Sequence, residues 1–291
     1  MGCLEAFLSQ HFPCNMYERF KNLDDSIHCY DISLEEHDEL NHTTYIQDMR
    51  IRHPHLALIG YGDDNPDYAR WLCSGSIISD KYILTAAHCM FIPESGEIKF
   101  AALGTQQWPT DLRYWQIYKI VKIIVHPEYV PLSKYHDIAL LKTAAKIIYN
   151  LEVIPACLQR FDYMPGEAIA TGWNAIGHHK HPADILNGVP IIQFSHIACM
   201  EAFAKNRQLA YGYNSYIQAC YGDGDYSNDV CEGDSGGPLQ VFTNRRKAKC
   251  LHTILGVTSY GRACGHLGTA GLYTRIAAYV PWIESITGYL T

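Results

Sequence analysis

From about residue 55 onward, short apolar runs separated by turn residues dominate the chain, and they predict β-strands. The clearest runs are His55–Gly60, Ser74–Ile78, Tyr82–Ala86, Tyr118–Val125, Ile138–Leu141, Ala168–Thr171, Val189–Phe194, Ile254–Thr258 and Gly271–Thr274. Their spacing fits antiparallel sandwiches or barrels, not alternating βαβ units. Tyr279–Ile286 breaks the pattern. Val280, Ile283 and Ile286 recur there at helical spacing and predict a C-terminal helix. A second helix is expected over Ser195–Ala204. Residues 1–50 have another texture, polar, acidic and rich in His, as in Leu34-Glu35-Glu36-His37-Asp38-Glu39. They predict a loosely structured leader.

Composition narrows the class. With 48% hydrophobic and 18% charged residues, the 291-residue chain has ordinary globular content and enough length for a sizeable core. A formal net charge of −7 offers no basic footprint for nucleic acid. No apolar run approaches the roughly 20 residues needed to cross a bilayer. The 11 cysteines include no tight Cys-x-x-Cys pair, which disfavours zinc and thioredoxin-like sites and suggests extracellular disulfides. Met1 to Phe20 nevertheless lacks a basic n-region, and Glu5 interrupts its short apolar stretch, so no signal peptide is read there. Met1-Gly2-Cys3 resembles a myristoylation start, but Ala6 stands where Ser or Thr is wanted. The expectation is that the true N-terminus is not represented.

Three strings carry candidate chemistry: Thr85-Ala86-Ala87-His88-Cys89, His136-Asp137-Ile138-Ala139-Leu140-Leu141 and Gly233-Asp234-Ser235-Gly236-Gly237-Pro238. Acyl transfer needs a hydroxyl nucleophile, a base within reach and a carboxylate that orients the base. Ser235, His88 and Asp137 supply one of each. Backbone N–H groups of Gly233 and Ser235 could face a developing oxyanion, which side chains at Gly233 or Gly236 would obstruct. Taken singly, each string also reads as a packed histidine, a strand-opening cap or a glycine loop. Their joint occurrence in one order, with cysteines around them, favours the catalytic reading.

With these residues on view, the chain resembles the chymotrypsin-fold, trypsin-like serine peptidases from about His55 to Leu290. It looks most like the arthropod clip-domain proteases of extracellular cascades. Further pointers are Phe100–Gly104, His126-Pro127-Glu128-Tyr129, Ile154-Pro155-Ala156-Cys157-Leu158, Gly256-Val257-Thr258-Ser259-Tyr260-Gly261 and Trp282-Ile283-Glu284. The resemblance implies an all-β fold of two six-stranded antiparallel barrels with a C-terminal helix. It divides the chain into a leader or incomplete clip segment (1–50), a first barrel (51–160) and a second barrel with the helix (161–291). It implies disulfides Cys73–Cys89, Cys199–Cys220 and Cys231–Cys264, and a tether from Cys157 to Cys14 or Cys29. Cys3, Cys250 and the unused one of Cys14 and Cys29 are left without a partner. Ala168 stands where many relatives carry the half-cystine that Cys250 would need.

The resemblance also assigns specificity. Asp229, six residues before Ser235, stands where such enzymes place the acid of the S1 pocket, and a buried carboxylate there selects a cationic side chain. The lesser reading of Asp229 is a solvated loop acid beside Asn228. Gly261 and Gly271 match pocket-wall positions. Val230 adds no hydrogen bond, so Arg is expected over Lys, because bidentate pairing needs less help. Ser259, Tyr260 and Gly261 are expected to pair with the substrate backbone as an added strand. The implied product is a secreted serine endopeptidase without a cofactor. Its implied partners are a protein substrate, an upstream activating protease and a serpin-type inhibitor.

One part of the family pattern is missing. The usual Ile-Val-Gly-Gly terminus, whose ammonium pairs with the acid before the nucleophile (here Asp234), is not found. About a dozen residues before Pro54 the chain reads Asn41-His42-Thr43-Thr44-Tyr45. The Arg50-Ile51 bond is cleavable in type, but Ile51 lies too close to Pro54 for its new terminus to reach Asp234. A non-catalytic homologue acting as a binding or regulatory partner is therefore the alternative reading. Asn174 also replaces a glycine usual in relatives. Asn41-His42-Thr43 is a glycosylation sequon of ordinary frequency. His178, His179 and His181 read as a solvated loop, and no metal site is expected.

Overall fold

Strand Gln116–Val125 follows a half-buried sheet pattern in its first half, with Tyr118 and Ile120 buried and Lys119 and Val121 exposed. A bulge between Ile120 and Lys122 then shifts the register. The computed structural model describes residues 53–104, 115–150, 152–172, 186–222, 235–242, 252–261 and 270–288. Their first six strands are β1 (Leu56–Tyr61), β2 (Arg70–Ile77), β3 (Tyr82–Thr85), β4 (Ile98–Leu103), β5 (Gln116–Val125) and β6 (Ala139–Thr143). They close into a barrel in the order β1-β2-β3-β6-β5-β4, with every pairing antiparallel.

The next strands are β7 (Cys157–Leu158), β8 (Glu167–Gly172), β9 (Asn187–Gln193), β10 (Gln218–Gly222), β11 (Pro238–Phe242), β12 (His252–Gly261) and β13 (Ala270–Arg275). The order β11-β8-β9-β10-β13-β12 closes through β11–β12 into a second six-stranded antiparallel barrel. The short β7 adds to β12 in parallel. The all-β, double-barrel expectation therefore holds.

Both expected helices form. Helix α1 (His196–Ala202) starts at Ser195, whose hydroxyl accepts the Ala198 N–H at 3.2 Å, and it is tied to β10 by the Cys199–Cys220 disulfide. Helix α2 (Val280–Thr287) ends at Gly288, left-handed at φ 81°, whose N–H reaches the Glu284 carbonyl. Its buried Val280 and Ile283 join Tyr279 and Ile276 in an apolar cluster that takes in Ile83, Leu140 and Ile147 of the first barrel side and Ile254 and Val257 of β12. The C-terminal helix thus locks the two barrels together by apolar burial. The second barrel has its own core of Ala170, Val189, Ile191, Tyr221, Leu239, Leu255 and Tyr273.

Candidate active site

His88 lies in a 3-10 turn, Ala87–Phe91, that follows β3. Its neighbour Cys89 is joined to Cys73 of β2, so the turn is fixed to the barrel wall as expected. Asp137 opens the segment leading into β6. The residue before it, His136, is left-handed at φ 54°, and the Ile138 N–H closes back on the His136 carbonyl at 2.8 Å. This tight, strained turn presents the Asp137 carboxylate to His88.

The pair is joined twice. His88 Nδ1 lies 2.8 Å from Asp137 Oδ2, and the His88 backbone N–H donates to Oδ1 at 2.8 Å. An ionised carboxylate only accepts, so Nδ1 carries a proton and donates it to Oδ2. The His88 side chain is 22% exposed and that of Asp137 is 0% exposed. Burial acts to raise the Asp137 pKa. The His88 charge and the donors from the His88 ring, the Ser259 hydroxyl and the His88 backbone outweigh it and hold the group below its ordinary value.

The second barrel completes the setting. Ser259 Oγ donates to Asp137 Oδ2, and Thr274 Oγ1 donates to the Asp137 carbonyl at 2.9 Å. A bulge between Thr258 and Tyr260 takes Ser259 out of register with β13. Ser235 is brought to the same seam by its backbone. Its carbonyl accepts the Ser74 N–H at 2.8 Å and lies 3.7 Å from Cys89 Sγ, one residue beyond His88. Gly236 follows at φ 81° and bonds the Thr258 carbonyl at 2.9 Å. A Cβ on Gly236 would sit 2.2 Å from Thr85 Oγ1 and 2.4 Å from the Ser74 carbonyl, so the loop beside Ser235 requires glycine.

Among the other expected site residues, Tyr260 and Gly261 lie at the end of β12, paired with Leu272 and Gly271 of β13. A Cβ on Gly271 would stand 3.2 Å from the Tyr273 ring, so this wall takes only a small residue comfortably. Asp229, Val230, Cys231, Gly233, Asp234 and Cys264 lie outside the described residues. So do the Asn41–Ile51 stretch, Asn174, His178, His179 and His181. Cys157 is buried and forms no disulfide among the described residues, and burial pushes its thiol up to about 12 against the opposing charge of Arg160.

Two donor clusters have a metal-like composition. In the first, Cys73 and Cys89 lie beside His88, but their sulfurs are spent in a disulfide. In the second, donor atoms of His126, Glu128 and His136 lie within 4.8 Å of one another. Their hydrogen-bonding capacity is partly used already: the Glu128 N–H donates to His126 Nδ1, and the Tyr279 hydroxyl lies 3.0 Å from His136 Nδ1.

Two closed antiparallel barrels, with a buried Asp137 bonded to a partly exposed His88 and a serine followed by glycine at their seam, define the serine-peptidase class of architecture. The chain belongs to the trypsin family, whose model, described as Trypsin, matches residues 47–283. It is 32% identical over 237 residues to the serine protease snk of Drosophila melanogaster, which covers 80% of this chain and 54% of the fly protein. It is 32% identical over 244 residues to CLIP domain-containing serine protease C9 of Anopheles gambiae, covering 79% of this chain and 64% of that protein. It is 30% identical over 233 residues to human serine protease 41, covering 76% of this chain and 70% of that one. The chain thus spans about half to two thirds of the length of the two insect relatives.

Proposed function

We propose that this chain is a secreted endopeptidase that cleaves protein substrates after Arg, and less well after Lys. The observation that carries the reading is the doubly bonded His88–Asp137 pair, which leaves the far ring nitrogen of His88 free as a base. His88 takes the Ser235 proton as the hydroxyl oxygen attacks the scissile carbonyl carbon. The N–H groups of Gly233 and Ser235 receive the oxyanion, and the His88 imidazolium then protonates the leaving amine. Water, activated by His88, releases the acyl group from Ser235. Asp229 would pair with the substrate guanidinium in a pocket walled by Gly261 and Gly271, with Val230 beside it.

Activation belongs to the same reading. A new N-terminal ammonium would pair with Asp234, after cleavage by an upstream protease, and a serpin-type inhibitor would end activity. Cys157 would hold the leader through Cys14 or Cys29. Cys231–Cys264 would brace the pocket. The absence of an Ile-Val-Gly-Gly sequence favours a second reading, a non-catalytic homologue that binds cascade partners through the same cleft.

The test is hydrolysis of an Arg-terminated chromogenic peptide before and after brief trypsin treatment, with Ser235→Ala as the blank. Ser235-dependent turnover, raised by trypsin, supports the peptidase. No turnover in either condition from folded, disulfide-bonded protein leaves the binding homologue.

A further inference from the structure

Among the described residues, the edge of β12 beyond Thr258 is unpaired on one side. Strand β11 pairs with β12 only as far as Pro238 opposite Val257, whereas β13 continues opposite Tyr260 and Gly261 on the other side. Among the described residues no strand pairs with Ser259–Gly261 on the β11 side, and that free edge starts beside Ser235. An extended substrate added there would bring its scissile bond to the serine.

Among the described residues, Lys134 is a cation that overlooks this edge. Lys134 Nζ donates to the Ser259 carbonyl at 3.4 Å and stands 5.1 Å from the centre of the Tyr260 ring. Its backbone is fixed to the second barrel on both sides. The Lys134 N–H donates to the Gln208 carbonyl at 2.9 Å, and Gln218 Nε2 donates to the Lys134 carbonyl at 2.8 Å. The side chain is half-buried, and among the described residues no carboxylate pairs with its ammonium. The Asp137 carboxylate acts on this ammonium electrostatically but is already bonded by His88 and Ser259, so the ammonium, resting on a carbonyl and an aromatic face, keeps donors for an incoming anion.

The strand geometry says which substrate residue would supply it. Side chains of an added strand alternate between faces. If the cleaved residue points to the wall formed by Gly261 and Gly271, the residue before it points the other way, toward the loop that carries Lys134 and Asp137. Resting on the peptidase reading above, we infer that Lys134 is a specificity-determining residue that selects an acidic side chain immediately N-terminal to the cleaved Arg. An Asp or Glu there draws the ammonium off the Ser259 carbonyl and frees that carbonyl for the substrate backbone. A basic residue at that position meets like charge.

The experiment uses trypsin-treated full chain and four chromogenic peptides ending in Ala-Asp-Arg, Ala-Ala-Arg, Ala-Lys-Arg and Asp-Ala-Arg. The expected kcat/KM for Ala-Asp-Arg exceeds that for Ala-Ala-Arg by about five- to tenfold, as for one partly desolvated ion pair. Ala-Lys-Arg falls below Ala-Ala-Arg, and Asp-Ala-Arg gains nothing because its acid points to the other face. Lys134→Gln levels the series and Lys134→Glu reverses it. Ratios within each variant are compared, so a change in the amount of folded protein does not alter the reading. Equal turnover of all four peptides, or an unchanged order in Lys134→Glu, overturns the role of Lys134 and leaves the peptidase intact. No turnover of any peptide by the wild-type chain removes the peptidase reading and this inference together.

Discussion

Ser259 donates its hydroxyl to the Asp137 carboxylate across the seam between the barrels, from 122 residues further along the chain. With the two donors from His88, this gives a fully buried carboxylate three hydrogen bonds. The bond therefore couples the relative placement of the barrels to the orientation of the carboxylate that holds His88.

Ser259→Ala removes one donor from a buried charge without altering the backbone. Hydrogen bonds to charged groups contribute about 1.5–3 kcal/mol, so a loss of about 2 kcal/mol in unfolding free energy is expected. Urea unfolding of the two proteins measures it. An unchanged midpoint would mean that solvent or another donor takes over at Asp137.

Asp137→Asn keeps the shape of the site but offers an amide where His88 needs an acceptor for Nδ1–H. On the peptidase reading, the ring proton is then driven to the other nitrogen and His88 loses its part as base. Hydrolysis of the Arg peptide is expected to fall by roughly 10⁴. A drop of less than tenfold would show that Asp137 does not set the tautomer.

Gly236→Ala places a methyl group on atoms that have no room for it, at a backbone angle that L residues avoid. Destabilisation above about 4 kcal/mol is expected, seen as loss of soluble, disulfide-bonded protein. Gly166→Ala is the control, because a Cβ there meets nothing within 4 Å. Equal yields of the two variants would contradict the packing described around Ser235.

Much of this site was legible in the chain, and what was not has a common cause. His88, Asp137 and the Ser235 loop sit in short strings whose residue types follow from the chemistry, so they could be read locally. The strands with alternating or long apolar runs, such as β5 and β12, were read for the same reason. Strands β4 and β10 were missed because both faces are covered and the alternation is lost: Ile98, Phe100, Ala101, Ala102 and Leu103 are all buried, as is every residue of Gln218–Gly222. Strand β11 opens with Pro238, a residue that argues against strand. Ser259 was read as a substrate-pairing residue, but its bond to Asp137 was invisible, since nothing near either residue in the sequence refers to the other. The same holds for Lys134, whose significance arises only where its loop meets β12.

His53 and His55, just before β1, pack with His252 of β12, the rings of His53 and His55 standing 4.9 and 4.8 Å from that of His252. All three are buried, and Phe242 and Gln240 of β11 and Thr171 of β8 complete the surroundings. Gln240 Nε2 lies 2.8 Å from His53 Nδ1. Burial, followed by the neighbouring His252 and His53, holds the His55 pKa well below the ordinary histidine value, against a smaller opposing bond from Gln240. The folded chain therefore binds fewer protons here than the unfolded chain. Stability from this group is fully present above the unfolded value and declines as pH falls below it. The slope is about 1.4 kcal/mol per pH unit for each extra proton taken up on unfolding. Urea unfolding at pH 7.5, 6 and 5 should show the wild type losing stability over the lower interval, and His55→Leu losing less because one titrating ring is gone. Parallel curves for the two proteins would mean that His55 protonates within the folded state, and that the contact between the start of β1 and the second barrel opens at little cost.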